Sequence, residues 1–188
     1  MAEVTKNGST DLNSIYLAIG YAVSKWEHLE TRLFLLYSAL AGNDYFADVQ
    51  AYSAIVSFRG RTTTIERLAT YRLHNSHRDL LKSCKAMLKR IERLSTRRNQ
   101  VVHGQIANCS FSITDDTRTK NFSGLYLANS IYGTPINYDT KLKSYHYNHE
   151  EIIAFGNDFE KCRHDLNELV DQCIGCFPFE NHSNPKIT

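Results

Sequence analysis

Within the ten residues RRNQVVHGQI, 97 to 106, an arginine, an amide and an imidazole stand close enough together to do chemistry. Arg98 is a permanent cation with a fork of donors suited to carboxylates and phosphates. His103 changes charge near neutral pH, so it can take a proton and return it. Asn99 and His103 are four residues apart, and on a helix the amide and the ring share one face. Arg98 and His103 are five apart. A regular helix points them roughly 140° away from each other, with about 7.5 Å of rise between them. Convergence on one small anion needs distortion of the last turn, which Gly104 would ease, or a second copy of the helix across a two-fold axis. The plainer arrangement is a guanidinium paired with a carboxylate, Glu27 or Glu30, and an imidazole capping the last carbonyls.

These residues need long helices to hold them. Leu12, Ile15, Ile19, Ala22, Trp26, Leu29, Leu33, Leu36 and Leu40 recur at steps of three and four, the stripe of one long helix. Asp11 is its expected N-cap and Gly42 its stop. Residues 48 to 73 form a second expected helix, which Gly60 and the run Thr62–Thr64 could bend or cut. A third starts near His77 with the stripe Leu80, Cys84, Met87, Ile91, Leu94, Arg98 and Val101, so Arg98 falls where an apolar residue is due. A fourth starts at Asn148, which with Glu151 makes a capping box. It carries Ile152, Phe155, Phe159, Cys162, Leu166, Leu169 and Cys173, and ends at Gly175 and Pro178.

Between the third and fourth helices the pattern changes. Ala107, Cys109, Phe111 and Ile113 alternate with polar neighbours as in a half-buried strand. Asp115 and Asp116 mark a turn, Leu125 and Leu127 a second strand, and Tyr145 and Tyr147 a third, with Gly133-Thr134-Pro135 as punctuation. The expected fold is therefore all-α dominated: a four-helix bundle, mostly antiparallel, with a small inserted β-hairpin or sheet. Residues 1–10 and 176–188 read as tails, 11–175 as a single domain, and 105–147 as its inserted β/loop region.

The segment Arg98-Asn99-Gln100-Val101-Val102-His103 resembles the signature of the HEPN superfamily, an arginine and a polar residue followed by a histidine near the end of a helix in a four-helix bundle. The resemblance covers residues 12 to 174 loosely; its specific part is this hexapeptide. It implies a homodimeric, metal-independent endoribonuclease without a cofactor, in which the two signature segments line an interface cleft. Arg98 would clamp the scissile phosphate, Asn99 would orient the imidazole or touch the phosphate, and His103 would act as general base or acid. The 2'-hydroxyl would attack the phosphorus and leave a 2',3'-cyclic phosphate. The superfamily also implies a role in toxin–antitoxin or defence systems, with a protein antitoxin or nucleotidyltransferase as partner. In the branch neutralised by a nucleotidyltransferase, a tyrosine commonly follows the histidine one residue later; here Gly104 and Gln105 follow. Other members are non-catalytic binding or scaffold domains, the alternative for this chain.

Charge distribution supplies a second candidate feature. The net charge is only +2 over 188 residues. Yet Arg59 to Arg98 holds twelve Lys or Arg against three acids, and Ser144 to Thr188 three against eight. Lys82, Lys85, Lys89, Arg90, Arg93 and Arg97 could track a single-stranded RNA backbone, or pair with the acidic fourth helix. Cys173, Cys176 and His182 have part of a zinc spacing, and His146 and His149 are three apart, but neither set supplies four ligands. Cys84, Cys162 and Cys173 lie on apolar stripes as small hydrophobes, which fits reduced thiols and a cytoplasmic location. Tyr126, Tyr132, Tyr138, Tyr145 and Tyr147 could cover a cleft, meet a partner or pack the small sheet. The N-terminus is polar and no apolar run could span a bilayer. Phosphate-binding loops, paired catalytic carboxylates and a serine nucleophile find no match, which sets aside ATPase, glycosidase and hydrolase chemistry.

Overall fold

A computed structural model describes residues 6–42, 44–114, 119–130 and 145–177. Among these the fold is all-α dominated, with five helices and a small antiparallel sheet of three strands inserted among them. The helices are α1 (Leu12–Ala41), α2 (Tyr45–Ser53), α3 (Phe58–Leu73), α4 (Arg78–His103) and α5 (His149–Cys176). The strands are β1 (Gln105–Thr114), β2 (Thr119–Ala128) and β3 (His146–Tyr147), in the order β1-β2-β3.

The expected second helix is two helices, and the break falls before Gly60. Ser57, extended at φ −93° and ψ 140°, turns the chain and accepts the Gly60 N–H on its hydroxyl at 3.0 Å. That cap satisfies a donor left open at a helix start, so the serine, rather than the threonine run, sets the boundary. At the start of α1, Asp11 accepts the N–H groups of Asn13 and Ser14. The capping box of α5 is complete: Asn148 Oδ1 accepts the Glu151 N–H at 3.0 Å, and Glu151 Oε2 accepts the Asn148 N–H at 2.9 Å.

The chain divides into two compact units, Met1–Glu27 with Leu94–Lys161, and His28–Arg93 with Cys162–Thr188. In the first, Ile15, Ala22, Trp26, Val101, Tyr126, Leu127, Ile152 and Phe159 are buried, and Trp26 meets Phe159 edge-on at 5.2 Å. Strands β1 and β2 pair from Gln105 with Ala128 out to Thr114 with Thr119, and β3 adds at Leu127–Tyr147 and Ala128–His146. Gly8 and Ser9, placed by the sequence in a tail, pair with β2: the Gly8 N–H donates to the Ser123 carbonyl, and Ser9 bridges Leu125. Two glycines permit this crossing. A Cβ on Gly8 would lie 2.6 Å from the Gly124 carbonyl carbon, and Gly124 itself adopts φ +128°. In the second unit the buried set is Leu29, Leu33, Leu36, Leu40, Ile65, Leu73, Cys84, Leu88, Ile91, Cys162, Leu166 and Cys173. The turn Asp115-Asp116, Gly133-Thr134-Pro135, Tyr132, Tyr138, Pro178 and His182 lie outside the described residues.

Candidate functional site

Val101 is buried while Val102, Asn99 and His103 are exposed, so the last turn of α4 sits with one side in the core and the imidazole at the surface. An open cleft of about 310 Å³ lies along this turn, lined by Thr96, Asn99, Gln100 and His103 of α4 together with Asn129, Ser130 and Tyr145. The structure thus brings Asn99 and His103 together, as their spacing requires.

Arg98 lies outside the cleft's lining. Its side chain is 29% exposed, and its Nη2 stands 3.9 Å from Glu27 Oε1, a distance for loose ion pairing and too long for a hydrogen bond. Nη1 donates to Asn99 Oδ1 at 3.3 Å, and Nε is buried without a hydrogen-bond partner among the described residues. Among the described residues of one chain, then, Arg98 touches the cleft only through Asn99.

The six candidate backbone-binding cations have varied surroundings. Arg90 pairs with Asp165 of α5 at 2.5 Å, Lys85 with Glu66 at 3.7 Å and Lys82 with Asp79 at 3.0 Å. Lys89 and Arg93 are exposed. Arg97, itself exposed, is engaged by side chains of the first unit. Its guanidinium lies over the rings of Tyr147 and Phe155, at 5.5 and 5.2 Å, and donates to the Tyr147 hydroxyl and to Gln100 Oε1.

Three tyrosines of the insertion are buried rather than displayed: Tyr126, Tyr145 and Tyr147. Tyr145 and Tyr147 stack at 5.0 Å with an interplanar angle of 15°. Burial pushes both phenols above their ordinary value, which keeps them protonated and able to donate. Tyr145 donates to the Gln100 carbonyl at 3.0 Å and Tyr147 to Gln100 Oε1 at 3.0 Å. Tyr145 and the adjoining strand β3 therefore grip the helix turn that carries His103. Gln100, Thr96, Asn129 and Ser130 were not expected in the site. Gln100 adjoins Asn99 in sequence and was within reach of a helical-face argument; Asn129 and Ser130 carry no such signal.

The cysteines occupy other places. The Cys84 and Cys173 thiols meet at 4.0 Å, fully buried, Cys162 contacts Met87 Sδ at 3.7 Å, and Cys176 lies 3.6 Å from His77 Nδ1. Burial pushes the Cys162 thiol up to about 11, against the opposing pull of Arg90. His149 Nδ1 is hydrogen-bonded to Ser9 Oγ at 2.8 Å, and His146 meets Tyr126 edge-on. Among the described residues no three His, Cys, Asp or Glu side chains gather in a way that could hold a metal ion. No described helix is long and apolar enough to cross a membrane. Comparison of the chain with protein-family models, with known proteins and with solved structures finds no match.

Proposed function

We propose that this chain is a HEPN-like endoribonuclease that cleaves RNA without a metal ion, with His103 as its proton-transfer group. The observation that supports the reading is an exposed imidazole in an open cleft, one helical turn from the Asn99 amide, beside a glutamine tethered by two protein donors. In the reaction the 2'-oxygen bonds to the adjacent phosphorus as its proton passes to a base, and the bond from phosphorus to the 5'-oxygen breaks as that oxygen gains a proton. A 2',3'-cyclic phosphate and a free 5'-hydroxyl result. An imidazole serves either transfer at neutral pH. The reading supposes that α1, α3, α4 and α5 form an antiparallel four-helix bundle. It also supposes a homodimer, because Arg98 reaches the cleft of its own chain only through Asn99. A protein antitoxin belongs to the same reading.

The test is cleavage of single-stranded RNA in EDTA by the parent, His103→Ala and Arg98→Ala. His103→Ala should lose on the order of a hundredfold or more in rate, the contribution of a positioned acid or base. Equal rates for parent and His103→Ala would remove the assignment. A second reading, a non-catalytic binding or scaffold domain, is favoured by the Arg98–Glu27 pair, which gives the guanidinium a structural employment. On that reading Arg98→Ala lowers stability and no variant cleaves RNA.

A further inference from the structure

Three amide side chains line the His103 cleft, and in each the oxygen already holds a proton donor of the protein. Asn99 Oδ1 accepts from Arg98 Nη1 at 3.3 Å. Gln100 Oε1 accepts from Arg97 Nη1 at 3.2 Å and from the Tyr147 hydroxyl at 3.0 Å. Asn129 Oδ1 accepts from the Tyr145 backbone N–H at 2.8 Å. Guanidinium and backbone N–H groups can only donate, so each one fixes which end of its amide is oxygen. The opposite end, an NH2 group with two protons to give, is left over three times. None of these nitrogens is a buried atom lacking a partner, and none has a protein acceptor among the described residues.

The remaining lining groups are the Thr96 and Ser130 hydroxyls, the imidazole and Tyr145, whose hydroxyl donates to the Gln100 carbonyl; among the described residues no carboxylate lines the cleft. A site furnished with oriented donors and without a fixed anion is complementary to a ligand rich in acceptors.

We infer that the cleft beside His103 binds a phosphate ester through the amide nitrogens of Asn99, Gln100 and Asn129, and that Arg98 and Arg97 act on it indirectly, as positioning residues that hold two of those amides by their oxygens. The choice of a phosphate ester among anionic ligands rests on the ribonuclease reading above; the donor arrangement does not. It also explains how an arginine outside the cleft can matter to phosphate binding: it orders a neutral donor in place of supplying its own charge.

Two substitutions isolate the donors. Gln100→Glu and Asn129→Asp keep the oxygen that Arg97, Tyr147 or Tyr145 requires, and replace only the NH2 by a carboxylate oxygen. The experiment follows side-chain NH2 and imidazole signals by NMR during titration of the full chain with uridine 3'-monophosphate, inorganic phosphate and acetate. The nucleotide should shift the NH2 signals of Asn99, Gln100 and Asn129 together with the His103 ring. Inorganic phosphate should give the same pattern more weakly, and acetate none. Each substitution should weaken nucleotide binding about tenfold or more, since it turns a charge-assisted bond into repulsion. The inference is overturned by unchanged affinity in both variants, by shifts confined to lysines and arginines elsewhere, or by acetate binding as tightly as the nucleotide. RNA cleavage separates the two proposals. A parent that binds the nucleotide through these amides yet never cleaves RNA retires the ribonuclease and keeps the cleft. A parent that cleaves RNA, with both variants equally active, does the reverse.

Discussion

Replacing Gly104 by alanine adds one carbon where the chain has no room for it. A Cβ there would lie 2.7 Å from Leu127 Cδ1, 2.8 Å from Leu127 Cγ and 2.8 Å from the Gln100 carbonyl oxygen. Carbon pairs settle at about 3.5 to 4.0 Å, so the leucine would have to withdraw by about an ångström. Leu127 is 1% exposed and its backbone is paired on both sides, with Ile106 and with Tyr147, so it cannot yield into solvent. Overpacking of this kind costs about 1 to 3 kcal/mol. For a chain of this length each kcal/mol lowers Tm by roughly 2 to 4 °C. Gly104 is not among the described glycines with positive φ, so backbone strain adds nothing, and the stiffer unfolded chain returns about 0.4 to 1 kcal/mol. Urea unfolding of the parent, Gly104→Ala, Leu127→Ala and the double variant closes a mutant cycle. The leucine truncation alone should cost about 2 to 5 kcal/mol. In its background the added methyl should cost less, because only the contact with the Gln100 carbonyl remains, giving a coupling of about 0.5 to 3 kcal/mol. A Gly104→Ala variant as stable as the parent, or a penalty identical with and without the Leu127 side chain, would refute the reasoning. The glycine beside His103 would then be a flexible joint, as its sequence position suggested, and not a packing requirement.

Three further outcomes follow from the same structure. Asn148→Ala removes the cap of α5 and the Nδ2–H bond to the Asn7 carbonyl at 3.0 Å; thermal unfolding should show a loss of about 1 to 2 kcal/mol, with Asn148→Asp recovering part of it through the cap. Phe159→Ala empties the partner of the Trp26 ring in a site 1% exposed and should cost about 3 to 5 kcal/mol, with a red-shifted tryptophan emission as water reaches the indole. Burial holds the His146 ring below its ordinary 6.5, so on acidification the unfolded chain takes up a proton before the folded one. The stability present above pH 6.5 is therefore lost as pH falls below it, and His146→Gln should flatten that part of a stability-against-pH curve.

Much of this protein was decided by short-range order in the chain. The three- and four-residue spacing of Trp26, Leu29, Leu33 and Leu36 needs a helix to place them on one side, and all four are buried on α1. The Asn148–Glu151 box acts across three residues, and the alternation of Ala107 and Cys109 against Asn108 and Ser110 acts across two, so both are visible without a fold. Asn99 and His103 share the cleft because one turn of any helix would align them. What lies beyond a turn or two was settled by tertiary structure. Gly60 looked like the breaker of the second helix, but the helix stops six residues earlier, at its Ala54 cap, and a new one starts from the Ser57 cap. Arg98 occupies an apolar position of its stripe, and only the placement of Glu27 and Asn99 shows where its charge goes. The orientation of the Asn129 amide is the clearest case. It depends on the Tyr145 N–H arriving beside it, next to the pairing of Ala128 with His146. Which end of this amide is the oxygen depends on a donor from 16 residues further along the chain, and no pattern of residue types encodes that encounter.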